Sequence, residues 1–495
     1  MENLDLSMNG PPTFSIVLSS DSVTNGSIII PGTGYIQSFS VGASTSTEIF
    51  LPDAIYYPIG DESYSNTGIK VVADHPISLY AFHNRAYFSE ATLVLPSNEL
   101  GTDYIIVAHD DDGVQGGSSE LVIEGTADST EVEITPSVFT LSARPPGIPF
   151  VISLNEGQLF QLQAYGDLTG TQISTSDQSK KIAVFSGIRW GEIWGAISNC
   201  SATSHTYDQN YPVDTWGDEY ILVPFSGQGG DPFRVIASVD QTEVYFDGVL
   251  KATLNSGEHF EQVLTATTYF TSSNPVAVVQ FSKGGTCSAS GNGDPSMVIL
   301  APLSFTEMKS IFKSVNTFST PLHFVNIVCT NDAASSMTLD GTNISSAFNS
   351  VAFNSAYSFA KISLLEGSHI LQSDRGFQAI GYGFGFYNAY SFNTGFGEPN
   401  IVGINNPSSV APTFGIFPNP MKDECYFRFQ NISQFRNNEL QLRIYSIQGE
   451  LLRNENVNVN VLSLLLKRKE LKAGVYFCEL FSGKQLLATK KLIVE

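Results

Sequence analysis

Positive charge is scarce in this chain of 495 residues: 25 Lys and Arg stand against 48 Asp and Glu, for a net charge of −23. Such a surface repels phosphate backbones and anionic bilayers, which argues against nucleic-acid and peripheral-membrane roles. Long apolar runs are missing as well. No stretch reaches the eighteen apolar residues of a spanning helix, so no membrane insertion is expected. The first residues, "MENLDLSMNG", lack the basic and apolar regions of a signal peptide and, read alone, point to the cytoplasm. The cysteines (Cys200, Cys287, Cys329, Cys425, Cys478) form no CxxC pair and by themselves fix no compartment. There is no H-E-x-x-H, no G-x-S-x-G, no P-loop and no glycine fingerprint between strand and helix. The histidines are scattered without patterned partners. Among enzymes, a glycosidase stays open, since it needs only two carboxylates.

What the chain does hold is β-forming sequence. Apolar residues make up 42% and charged residues 15%, enough apolar surface for real cores. Thr, Ser, Val, Tyr, Phe and Gly abound while long helical patterns are few, which predicts an all-β protein. Charge divides it unevenly. Residues 412–495 carry 12 Lys and Arg against 8 Asp and Glu, net +4, whereas the residues before them are net −27.

The acidic part repeats itself. "SLNEGQLFQL" (from Ser153) returns as "TLNSGEHFEQ" (from Thr253) and more weakly as "SLLEGSHILQ" (from Ser363). "TDYIIVAHD" (from Thr102) matches "DEYILVPFS" (from Asp218). A closing strand ends each copy, and aligning Ile77, Ile182, Val276 and Phe377 gives spacings of 105, 94 and 101. A period near one hundred suits a β-sandwich of about seven strands rather than a solenoid turn or a propeller blade. The expected division is 1–97 (a divergent first repeat), 98–190, 191–300, 301–397, a linker at 398–411 and a small C-terminal domain at 412–495. One helix is expected at "SFTEMKSIF", where Ser304 and Glu307 form a capping-box pattern.

Two long connections flank the third repeat, Ile188–Gly217 and Gly284–Pro302. The first holds every tryptophan of the chain, Trp190, Trp194 and Trp216, together with His205, Tyr207 and Tyr211. Long loops in compact domains are usually functional, and exposed aromatics supply stacking area at low entropic cost. Trp190, Trp194, His205, Tyr207 and Tyr211 are therefore ligand-binding candidates. The competing reading is that such rings plug a junction between sandwiches. In "HDDDG", Asp110, Asp111 and Asp112 gather three carboxylates in a turn; a solvated acidic turn is the expected state and Ca²⁺ the weaker alternative, because the spaced D-x-D-x-D-G pattern is absent. No other cofactor is implied. "GYGFGF" (from Gly381) places Tyr382, Phe384 and Phe386 on one face of a strand and glycines on the other.

Over roughly residues 30–397 the chain resembles the N-terminal domain of IgGFc-binding protein, a family of animal mucus and bacterial secreted proteins. "CSATSHTYDQNYPVDTWGDEYILVPF", "TSSNPVAVVQF" and "GDPSMVILAP" carry the resemblance, with Trp216, Gly217, Asp294 and Pro295 as its most specific structural residues. Residues 412–495 resemble the C-terminal sorting domain of the type IX secretion system of Bacteroidetes-type bacteria. "GIFPNP" with Pro418, Asn419 and Pro420, the turn at Gly449, "LKAGVYF" with Gly474 and the closing "KKLIVE" with Lys490 and Lys491 carry it. These resemblances imply an extracellular or outer-surface protein handled by the type IX secretion machinery, with a signal peptide expected upstream of the sequence shown. An oxidising compartment implies in turn a disulfide between Cys200 and Cys287, stapling the two long connections, with two separate buried thiols as the alternative. The expected function is a non-enzymatic, adhesin-like module for a glycan or glycoprotein ligand. The alternatives are a structural surface-layer or matrix component and, third, an extracellular polysaccharide hydrolase.

Overall fold

The computed structural model describes residues 1–2, 13–52, 58–85, 87–111, 113–114, 116–193, 202–317, 320–397, 413–417, 419–430, 440–447, 450–457, 463–469, 471–482 and 485–494. The chain forms two compact units, Met1–Ile401 and Val402–Glu495. Nearly every element is an antiparallel strand, as the composition predicts.

In the larger unit, the four aligned positions mark four closing strands: Ser78–Arg85, Ile182–Gly191, Thr268–Ser282 and Gly367–Gly385. Each folds back on the strand that follows it. The four partners are Phe88–Val94, Ser204–Gln209, Ser296–Ile299 and Asn388–Asn393, paired in register through Leu79 with Val94, Phe185 with Gln209, Val279 with Ile299 and Gly383 with Tyr390. These four inner strands then meet one another. Phe88–Val94 lies beside Ser204–Gln209 and Asn388–Asn393, and Ser296–Ile299 lies beside the same two, so one strand from each repeat closes a ring.

The ring is buried on both faces although its strands are rich in polar residues. Their side chains make the bonds that a continuous ladder would otherwise make, as buried backbone groups require. Asp208 accepts from the amides of Ile299 (2.7 Å) and Gln209 (2.9 Å) and from the Thr92 hydroxyl. Glu90 accepts from the amides of Met297 (3.0 Å), Ala91 (3.1 Å) and Ser391 (3.3 Å). Asn393 Nδ2 donates to the Ile299 carbonyl at 2.7 Å, and the Leu95 amide donates to Gln209 Oε1 at 2.8 Å. Polar inner strands are thus the glue between repeats.

The sequence match around Thr102 and Asp218 has an equally local cause. Tyr104 Oη donates to the Ile182 carbonyl (2.7 Å) and accepts from the Gly101 amide (2.9 Å). Tyr220 Oη repeats this with the Val276 carbonyl (2.7 Å) and the Gly217 amide (3.4 Å). Each glycine is required by a close approach: a Cβ on Gly101 would stand 2.5 Å from Pro212, and one on Gly217 would stand 2.3 Å from Pro302. One further strand interlocks the repeats, since Ser63–Ser65 from the first extends the sheet of the second against Leu159–Ala164. The closing strand Ile182–Gly191 runs across the expected border at 190/191.

The helix expected at Ser304 is instead a strand, Glu307–Ser314, paired with Gly367–Gly385 through Ile311 and Ile370. Glu307 does not cap; its carboxyl is drawn inward, accepts from the Thr394 hydroxyl at 3.3 Å, and is pushed up to about 8 by burial. Core packing of Ser310, Phe312 and Ser314 on one face overrides the local helix signal. Among the described residues the α-helix is Asn331–Ser336, with Thr330 accepting from the Ala333 amide. In "GYGFGF" the alternation holds for Tyr382 and Phe384, both buried, whereas Phe386 lies past the strand end and is exposed. Gly381 and Gly383 leave room for the rings of Phe392 and Tyr390.

The smaller unit pairs a three-stranded sheet (Thr413–Phe417, Glu424–Gln430, Ser463–Lys467) with a four-stranded one (Leu440–Tyr445, Leu451–Val457, Gly474–Ser482, Gln485–Val494). Phe414, Phe427, Leu442, Ile444, Leu480 and Leu492 build its core, with Cys425 and Cys478 buried there as free thiols. Asn419 Nδ2 donates to the Lys491 carbonyl (2.8 Å) and its Oδ1 accepts from the Ile493 amide (2.7 Å), tying the "FPNP" turn to the last strand. Lys490 and Lys491 are exposed on that strand, Pro420 is exposed in the turn, and Gly474 opens its strand at φ +157°. Pro418 and Gly449 lie outside the described residues, as does the expected linker.

Candidate functional site

The aromatic connection does not present its rings to solvent where it is described. Trp190 ends the second closing strand, is 7% exposed and packs edge-on against Phe88, with centroids 4.5 Å apart. His205 and Tyr207 point from the second inner strand toward the first repeat. His205 is buried, stacks on Tyr207 (5.7 Å) and meets His83 edge-on (4.9 Å). Tyr207 Oη donates to the Ala81 carbonyl at 2.8 Å. Tyr211 is buried against Phe396, and its hydroxyl accepts from Asn393 Nδ2 at 2.8 Å. Trp216 is buried with Ile236, Val279 and Phe281, and its Nε1 donates to the Tyr211 carbonyl at 3.1 Å. Trp190 and Tyr211 thus fill junctions between repeats, whereas His205 and Tyr207 stand between the first and second repeats and line a cavity there. Large rings with one polar atom suit a junction where apolar faces meet carbonyl-bearing strand ends. Trp194 lies outside the described residues.

Burial also decides the charge of the imidazole cluster. His205 Nδ1 is 3.9 Å from Glu120 Oε1, yet burial holds the imidazole down at about 3 and pushes the Glu120 carboxyl up to about 8. The two face each other uncharged at neutral pH, the state a dry interior favours.

His109 Nδ1 lies 3.1 Å from Asp110 Oδ1, and Asp111 turns inward to accept from the Gly113 amide at 2.9 Å. Asp112 lies outside the described residues, among which no cluster of His, Cys, Asp and Glu could hold a metal ion. His109 instead borders a latch between the second and third repeats. There Arg234, nearly fully buried, donates to Asp167 (2.6 Å), the Ala108 carbonyl (2.7 Å), Thr169 (3.1 Å) and Glu261 (3.0 Å). Burial and Arg234 push the His109 imidazole down, but Asp110, Glu261 and Asp167 prevail and raise it. Asp294 is buried, with its carbonyl accepting from Ser282 at 2.6 Å, and Pro295 leads into the third inner strand. Cys287 is disulfide-bonded, and Cys200 lies outside the described residues.

Exposed aromatics occur elsewhere. Phe139 (63% exposed) and Tyr165 (74%) sit on adjacent segments of the second repeat, joined by the Leu141 amide donating to the Gln163 carbonyl at 2.9 Å. Exposed Ile148 follows on the same proline-rich loop. Beside it, Arg144 lies 3.7 Å above the Phe150 ring and forms a two-pronged pair with Glu62 (2.6 and 2.8 Å), which stiffens this edge. The signal for it in the sequence is "VFTLSARPPGIPF", where prolines and a glycine hold apolar residues outside any strand.

Comparison with known proteins places these features. The family described as "IgGFc binding protein" matches residues 90–383, and that described as "Secretion system C-terminal sorting domain" matches residues 415–495. The first match begins within the first inner strand, a narrower span than the expected 30–397. The human IgGFc-binding protein is 23% identical over 239 residues, which is 48% of this chain and 4% of that protein; this chain thus corresponds to a small part of it. Among solved structures, dimeric latent PorU from Porphyromonas gingivalis is 13% identical at a TM-score of 0.15, over 63% of this chain and 31% of that one. A Ca²⁺-stabilized adhesin with which an Antarctic bacterium binds ice is 11% identical at a TM-score of 0.14, over 80% of this chain and 99% of that one.

Proposed function

The chain belongs to the IgGFc-binding protein family and ends in a secretion sorting domain, and from that membership we propose a non-enzymatic, adhesin-like protein that binds a glycan or glycoprotein at or beyond the outer cell surface. The sorting domain hands it to the type IX secretion machinery. The observation that carries the binding role is the rigid Phe139–Tyr165 edge, where aromatic area is held in solvent rather than packed. Ring stacking on a sugar or on an apolar side chain needs such area, fixed in advance so that little entropy is lost on contact. The polar ring supports the same reading: it locks four repeats into one body that displays their outer turns at fixed spacing. Cys200 is the proposed partner of Cys287, which peptide mapping without reduction checks.

The test is binding of the full chain to an array of glycans, mucins and immunoglobulin Fc. A specific hit that weakens about tenfold in the double variant Phe139→Ala/Tyr165→Ala, a hot-spot loss of about 1.4 kcal/mol, supports the assignment. That variant should melt like the parent, since both rings are exposed. Trp190→Ala gives the opposite pattern, an earlier melt from a lost core ring. A blank array from folded protein, together with self-association in light scattering, overturns the adhesin reading in favour of a structural surface component.

A further inference from the structure

A cavity of about 740 Å³ lies between the first repeat and the outer sheet of the second. Strand alternation makes its walls. On the first closing strand, Tyr80 and Phe82 face a packed core while Leu79 and Ala81 face the cavity. On strand Ser119–Gly125, Leu121 and Ile123 face a core while Val122 and Glu124 face the cavity. Ala183 and Phe185 do the same beside Val184. A sheet with solvent on its second face would put polar residues there, so two apolar second faces opposite each other are built to be covered. Native interiors close such gaps to voids little larger than a water molecule, whereas this volume falls among ligand pockets.

Two ends differ in chemistry. The inner end is formed by Met1, His83, His205 and Tyr207; burial lowers the Met1 amino group, which is electrostatically coupled to Glu120, and the Tyr207 hydroxyl is already engaged with Ala81. Near the other end stands Glu124, which makes no hydrogen bond or ion pair among the described residues. Burial pushes its carboxyl up to about 8, which favours the protonated form at neutral pH, able to donate one hydrogen bond and accept another. Gly68 leaves it room: a Cβ there would stand 2.4 Å from Glu124 Oε1. Leu79 and His83, both lining it, are four residues apart on one strand, so the space extends over roughly 13 Å. Lys70 and Glu156 form an exposed ion pair at the rim.

We propose that this space binds one extended aliphatic chain with a neutral hydrogen-bonding end, a hydroxyl or a protonated carboxylic acid, seated at Glu124. The walls recognise the chain by area alone. The unpartnered carboxyl selects the end group, because an alcohol or acid completes its hydrogen bonds, whereas an ammonium head would force a charge pair into an apolar space. This site is separate from the Phe139–Tyr165 edge, and either can fail without the other.

The experiment titrates the full chain with the fluorescent polyene cis-parinaric acid and competes it with decanol, decanoic acid and decylamine. Saturable one-site binding, displaced by decanol at neutral pH and by decanoic acid more strongly as pH falls, is expected. Ala183→Phe, and independently Val71→Phe on the opposite wall, fill the space and should weaken the probe at least tenfold; thermal melts show which of the two remains folded. Glu124→Leu should keep probe binding while cancelling the preference for decanol over a plain alkane. The proposal is overturned if the folded parent shows no saturable binding, if a folded filling variant binds the probe unchanged, or if decylamine displaces it better than decanol.

Discussion

Arg234→Met destabilises the larger unit by about 3–5 kcal/mol at neutral pH, the range for removing one partner of a buried charge cluster. The methionine restores most of the volume, so the loss is electrostatic. Asp167, Glu261 and the Ala108 carbonyl each lose a donor, and two carboxylates are left facing each other in a poorly solvated place. The sign with pH follows from Asp167. Burial raises its pKa, but Arg234 and then His109 outweigh burial and hold the carboxyl at about 2, below the ordinary range. A depressed carboxylate stabilises the fold above its unfolded pKa, near 4, and that stabilisation is lost as pH falls through the folded value. Without Arg234 the carboxyl takes up a proton more readily, so the gap between parent and variant narrows from pH 7 to pH 4. Chemical denaturation of both chains at the two pH values measures this. A gap below 1 kcal/mol at pH 7, or one that widens on acidification, would sink the latch.

Asp208→Ala should be comparably severe, roughly 3–6 kcal/mol, because the Ile299 and Gln209 amides and the Thr92 hydroxyl lose their acceptor inside the ring, each such loss running to about 1–3 kcal/mol. Here pH works in the opposite direction. Burial pushes the Asp208 carboxyl up to about 7, and Glu120, Glu124 and Glu307 to about 8. A raised carboxyl binds its proton more tightly in the folded state, so stability increases as pH falls from about 8 toward the unfolded value near 4. Below about 6.5 the buried His83 and His205, both lowered by burial, oppose this trend by taking protons only when unfolded. The melting temperature therefore rises from pH 8.5 to about 6.5 and flattens below. Asp208→Asn, which mimics the protonated group, should remove its share of that slope. Amide hydrogen exchange at Ile299 reports the ring directly; an unchanged rate in Asp208→Ala would count against it.

Much of this fold is legible in the sequence because it rests on local, repeated chemistry. The alternation of "DEYILV" gives a strand, its tyrosine and preceding glycine recur with the same partners, and Asn155, Glu156 and Gly157 break two apolar runs with a turn in which Gly157 takes φ +72°. What is illegible is which elements meet. Nothing in "SHTYDQ" alone says that its aspartate will hold the amide of Ile299, 91 residues away, so polar inner strands read as loops. The same blindness explains the aromatic connection. Trp190 and Tyr211 have the composition of a binding loop, and only the approach of Phe88 and Phe396 makes them core. Ser304 and Glu307 satisfy a capping pattern that the pull of the core on Phe312 overrides. The Phe139–Tyr165 edge was missed for the opposite reason: no tryptophan marks it, and its exposure depends on prolines holding the loop off the sheet.

The ring has one more consequence, and it is kinetic. Its closure joins Phe88–Val94 to Asn388–Asn393, and Tyr80 Oη donates to carbonyls at Ile311 and Thr394. Tyr80 and Thr394 are 314 residues apart along the chain, and Glu90 and Ser391 are 301 apart, so the contacts that close the ring are among the most distant in sequence. Loop-closure entropy makes such topologies slow to fold. Until the fourth repeat has been synthesised, Glu90 lacks the Ser391 amide, and Phe88–Val94 and Ser296–Ile299 each lack the neighbour that closes the ring, so the polar inner strands stay open on one side. A nascent chain carrying only the earlier repeats is therefore a set of half-finished sandwiches with open edges, dependent on whatever shields strand edges in the cell, and the body acquires its full cooperativity in a single late step.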